Sequence, residues 1–155
     1  MRGITVGLFK KKKTNSVIEE YSETVIKDLE YKGVNVVVTF RKDESMEHVY
    51  DDFKALEEHG IDRVVKEEFI PWFVAADFAD RDRDKVFEGL KIVHISYTYG
   101  MICEKYSPTG AENYFGQFEL IFESCSEYTE DMLQQTAMEI YMLDGKVVGT
   151  RKWDV

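Results

Sequence analysis

The chain reads as an α+β fold: a mainly antiparallel sheet of about six strands, with two or three helices packed on one face. Three observations predict it. Lys91–Tyr99 and Tyr114–Glu123 alternate with period two, the mark of strands with one buried face. Between them and the N-terminal strands, apolar residues recur at helical spacing. Two dipeptides, Lys32-Gly33 and Asp144-Gly145, sit between β-rich arms and read as hairpin turns.

The two alternating segments are expected to be neighbouring central strands. In the second, Tyr114, Gly116, Phe118, Leu120 and Phe122 share a face, opposite Phe115, Gln117, Glu119, Ile121 and Glu123. In the first, Val93, Ile95, Tyr97 and Tyr99 oppose Ile92, His94, Ser96 and Thr98. The core is expected to include Val36, Val38, Phe53, Val93, Ile95, Phe118, Leu120 and Ile140.

The remaining elements follow in order. Ile4, Val6 and Leu8 alternate and predict a short strand. Lys10–Lys13 then read as an exposed loop or strand edge, where lysine discourages edge pairing. Thr24–Tyr31 and Val34–Phe40 form a hairpin. Asp43 or Ser45 caps a helix running to about His59, with Met46, Val49, Phe53 and Leu56 as its buried stripe and Gly60 closing it. A second helix starts near Asp62 and carries Val65, Phe69, Phe73 and Ala76. Pro71 lies inside that pattern and predicts a kink or break at Ile70, because proline lacks an N–H and crowds the preceding turn. A short helix spans Asp84–Glu88 and stops at Gly89. Ser124–Gln135 is a loop or a single turn around Met132 and Leu133. Thr136–Leu143 and Lys146–Lys152 close the chain as a hairpin, with Met138, Ile140, Met142 and Val147 on one face.

Length and composition bound the function. The 155 residues fit one domain, spanning 1–155. No apolar run reaches the roughly 20 residues of a membrane span. No signal peptide is visible, so Cys103 and Cys125 are expected as free thiols in a reducing cytoplasm. Residues 1–42 carry nine Lys/Arg against five Asp/Glu, net +4. The remainder carries eleven against twenty-five, net −14, which gives the −10 of the whole chain. Such a balance argues against nucleic acid as a partner, since phosphate contacts need clustered Lys and Arg. It favours plain solubility, with a basic protein partner as the functional alternative.

No motif forces a chemistry. His48 and Asp52 share a helix face, but His59 lies eleven residues further on, about 16 Å along a helix and too far for one ion. No metal and no cofactor is expected. There is no phosphate-binding glycine loop and no EF-hand spacing. His94, Tyr97 and Cys103 are the residues around which an enzyme or ligand pocket would form. Glu119, Glu123, Glu127, Glu130 and Asp131 are the candidate partner-binding acids, with helix residues Glu47, Asp51, Glu57 and Glu58 as a second patch. Trp72, Tyr106, Tyr114, Phe115 and Trp153 serve either the core or a binding surface.

The order of these elements, from the Val25–Phe40 hairpin through the helices to Phe115-Gly116-x-Phe118-x-Leu120, resembles certain uncharacterised bacterial domains. Some of those look like immunity proteins encoded beside polymorphic toxins. The likeness covers roughly residues 20–150 and rests on element order and apolar spacing. Some such domains carry an aromatic-Gly-His run where this chain has Phe115-Gly116-Gln117, so no catalytic histidine transfers. The resemblance implies a non-enzymatic protein that binds a partner.

Overall fold

The computed structural model describes residues 7–14, 17–40, 44–75, 77–132 and 136–154. Ile4, Val6, Asp43, Ala76 and Leu133 lie outside them. One seven-stranded sheet runs in chain order: β1 (Gly7–Thr14), β2 (Val17–Tyr31), β3 (Val34–Phe40), β4 (Leu90–Ile102), β5 (Asn113–Ser124), β6 (Thr136–Leu143) and β7 (Lys146–Asp154). Every pairing is antiparallel except β3 with β4. A parallel pair needs a crossover, and the helices supply it.

β2 is the longest strand, at 15 residues. Its first half pairs with β1 and its second half with β3. Lys10–Lys13 fall in β1, at the sheet edge. Both two-residue turns take positive φ at both positions: 49° and 82° at Lys32-Gly33, 51° and 73° at Asp144-Gly145. Those values match the right-handed twist of the flanking strands, which is why glycine is needed second.

α1 (Glu44–His59) lies on the sheet with Val49, Phe53 and Leu56 fully buried. Ser45 is not its cap. The side chain is buried and its Oγ accepts from the Tyr99 backbone N–H at 3.0 Å, tying the helix start to β4. Gly60 ends α1 at φ 103°.

α2 (Ile61–Val64), a π-helical turn (Val65–Phe69) and α3 (Ile70–Val74) then follow without a break. Of the kink or break expected at Ile70, the break does not occur; what changes there is the hydrogen-bonding pattern, from π-helical to α-helical. The wider turn shifts the hydrogen-bond register just before Pro71, so the proline sits in the first turn of α3, where its missing N–H costs little. α4 (Arg83–Glu88) is capped by the Asp82 carboxylate, which accepts from the N–H groups of Asp84 and Lys85.

The core lies between these helices and one face of the sheet. Val36, Val38, Ile95, Phe118, Leu120 and Ile140 are all at most 1% exposed and meet Phe53, Phe69 and Val86. Val93 is the exception. The β4–β5 register slips between Ile92 and His94, a bulge that removes Val93 from the alternation. Leu90 and Ile92 take the core-facing places instead.

The opposite face carries none of the helices that fill the core. Pro108 rests against Gly149, so the loop between β4 and β5 folds over part of this face. Phe115 and Tyr141 are buried there, edge to face at 6.2 Å. No helix among the described residues is long and apolar enough to cross a membrane.

Candidate functional site

The helix-free face presents a transverse row set by strand register. Ser96 on β4 pairs with Glu119 on β5, Glu119 with Glu139 on β6, and Glu139 with Arg151 on β7. The two glutamates are therefore directly opposed like charges, both half-buried. Burial, and then the Glu139 charge, push the Glu119 carboxyl above its usual range. Glu139 is the better supported. Its Oε1 accepts from the Tyr141 hydroxyl at 2.6 Å and lies 3.9 Å from Arg151 Nε. Arg151 is mostly exposed and its guanidinium also sits over the Trp153 ring. Burial and the neighbouring Glu139 raise the Tyr141 hydroxyl's pKa, so it stays a donor.

The five predicted acids do not form one patch. Glu119 is in mid-strand and Glu123 is exposed near the end of β5, opposite Lys91. Glu127 and Glu130 are exposed on the segment after β5, whose 3-10 turn (Glu127–Thr129) packs against α4 and Gly89. Asp131 is already engaged. Arg81 holds it through two hydrogen bonds, of 3.1 and 2.6 Å, and keeps its carboxyl below the usual range. Glu47, Asp51, Glu57 and Glu58 are exposed on α1.

The predicted pocket residues do not converge. His94 lies on the helix-free face and Tyr97, an odd number of residues away, on the core face. Cys103 follows the far end of β4, about 30 Å from His94 at the strand rise of about 3.3 Å per residue. Both cysteines are free and exposed.

Tyr97 has a different partner. Its buried hydroxyl donates to Asp52 Oδ2 on α1 at 2.5 Å. Burial raises the Asp52 pKa above the usual carboxylate range, against the opposing pull of Tyr97 and His48. His48 stacks on Tyr99 at 3.7 Å, and Tyr99 on the exposed Tyr114 at 5.6 Å. Among the described residues no three His, Cys, Asp or Glu side chains gather as metal ligands.

The sequence reading missed Glu139, Tyr141 and Arg151. Glu139 had a visible signal: it is the only charged residue in the apolar run Thr136–Leu143. The others needed the register. The predicted aromatic surface divides: Phe115 is core-like, Trp72 and Trp153 are half-buried, and Tyr106 and Tyr114 are exposed. No protein-family model matches the chain, and neither a curated protein nor a solved structure matches it significantly.

Proposed function

We propose that the chain is a non-catalytic binding protein of the immunity type, whose acidic surface occupies a basic surface of a protein partner in the cytoplasm. The observation that carries this reading is the Glu119–Glu139 pair. Two carboxylates stand side by side on the face free of core helices, with the mostly exposed Arg151 guanidinium 3.9 Å from one of them. Like charges directly across a strand pair destabilise the sheet, and partial burial adds desolvation. A Lys or Arg supplied by a partner turns that cost into a paired contact. The net −14 beyond residue 42 adds a long-range field that speeds encounter with a basic protein. The enzyme reading has less behind it, because His94 and Tyr97 lie on opposite faces of β4 and Cys103 beyond its far end.

The test is capture of the partner from the source cell, then binding kinetics at low and physiological salt. The reading expects a basic partner and an association rate that falls with salt, since screening has a length of about 8 Å at physiological strength. Glu119→Gln with Glu139→Gln should speed dissociation, because a desolvated contact is lost. Glu127→Lys with Glu130→Lys should chiefly slow association. Asp131 is left intact, because reversing it also breaks the clasp to Arg81. An acidic partner, or an association rate indifferent to salt, overturns the reading.

A further inference from the structure

We propose that a second site, independent of the acidic face, lies between the sheet and the helices where β3 and β4 part, and that it binds a small, uncharged, largely apolar molecule. The parallel β3–β4 ladder covers only Val36–Val38 against Ile95–Tyr97. Before it, Val34 pairs with β2, and Leu90 and Ile92 pair with β5. Among the described residues the two strands share no pairing there. Asp62, Val65 and Phe87 of the helical layer face the resulting gap. A cavity of about 530 Å³ opens in it, within the range of about 300–1,000 Å³ usual for ligand pockets.

Apolar side chains that the core leaves half-buried gather in this cavity. Tyr31, Val34, Phe87, Leu90 and Ile92 pack against the core and also line the cavity. The β4 bulge adds to the wall. It places consecutive residues Ile92 and Val93 both in the lining, where a regular strand would send one to each face. The lining therefore comes from strands and helices together, and its exposed remainder is apolar surface in a concave setting. A flat protein surface would rest on the rim and leave that lining wet. A small molecule reaches it and removes its apolar area from water.

The rim selects against charge. Lys32 and Lys91 border the cavity beside Asp62 and Glu88, two cations against two carboxylates. Lys32 is already bridged to Asp62 at 3.2 Å, and its ammonium lies 5.3 and 5.5 Å from the Tyr31 and Phe87 ring centres. A carboxylate or an ammonium entering the cavity would shed water and meet no net counter-charge. An uncharged molecule pays no such cost and still covers the apolar lining.

The experiment titrates the isolated protein with octanol by calorimetry at neutral pH, with octanoate and octylamine as chain-matched ions. Saturable octanol binding is expected, and both ions should bind about three-fold or more weakly, since neither finds a net counter-charge. Val93→Trp, which fills the cavity from outside the core, should abolish octanol binding while a melting curve shows the variant folded. Lys91→Met, at an exposed position, leaves the lining with one acid in excess. There octylamine should gain about three-fold on octanol, and octanol itself should change little. No saturable octanol binding, either ion binding as tightly as octanol, a folded Val93→Trp that still binds octanol, or an octylamine-to-octanol ratio unchanged in Lys91→Met overturns the proposal. Any of these leaves the acidic-face reading standing, because no partner protein is present.

Discussion

The Tyr97 hydroxyl and the Asp52 carboxylate join the central strand β4 to helix α1 through a 2.5 Å hydrogen bond, directly over Gly116 of β5. Tyr97 is fully buried, yet its polar tip is satisfied, and Asp52 spends its half-buried charge on it. Tyr97→Phe leaves that carboxylate without its donor. We expect a loss of about 1–3 kcal/mol at neutral pH, read from chemical denaturation. The loss should shrink in acid, where Asp52 is protonated. An equal loss at all pH values would show that Tyr97 contributes shape alone.

Gly116 exists for this contact. A Cβ there would run into the Asp52 carboxylate and the Tyr97 hydroxyl. Gly116→Ala should cost about 1–3 kcal/mol, the scale of an overpacked core. Adding Asp52→Ala should recover part of it, and a double-mutant cycle measures how much. Strict additivity would remove the steric explanation.

The Glu119 carboxyl gives a pH dependence of defined sign. Its folded pKa lies above its unfolded value, chiefly through burial and secondly through Glu139. Its contribution to stability is therefore fully present below the ordinary glutamate range and is lost as pH rises through the raised value. Glu119→Gln should be more stable than the parent at neutral pH and lose that advantage in acid. An advantage that persists at low pH would refute the electrostatic origin.

The strand register predicts unequal costs within β4 and β5. Leu120→Ala and Phe118→Ala should each destabilise by about 2–5 kcal/mol, through lost burial plus a cavity. Val93→Ala should cost less than about 1.5 kcal/mol, because the bulge holds Val93 outside the core. Comparable losses at Val93 and Leu120 would mean that the bulge is misplaced.

Much of the fold was legible in the chain because it rests on local patterns. Alternation marked β4 and β5, Lys32-Gly33 and Asp144-Gly145 marked both tight turns, and Phe53 and Leu56 marked the buried stripe of α1. These depend on backbone geometry and side-chain period, which neighbours in sequence determine. Pro71 was recognised as a disturbance, but its accommodation by a π-turn depends on the sheet and helices packed around it.

The sequence by itself determined the α+β class, the central strand pair and the acidic balance. Tertiary structure alone decided that Glu119 faces Glu139, that Arg81 removes Asp131 from the free acids, and that His94, Tyr97 and Cys103 stay apart. It also decided that Tyr31, Ile92, Val93 and Val65 enclose one cavity. The reason is physical. Each of these relations joins strands or helices distant in the chain, and a single-residue bulge such as that at Val93 changes which side chains meet without changing the hydrophobic pattern.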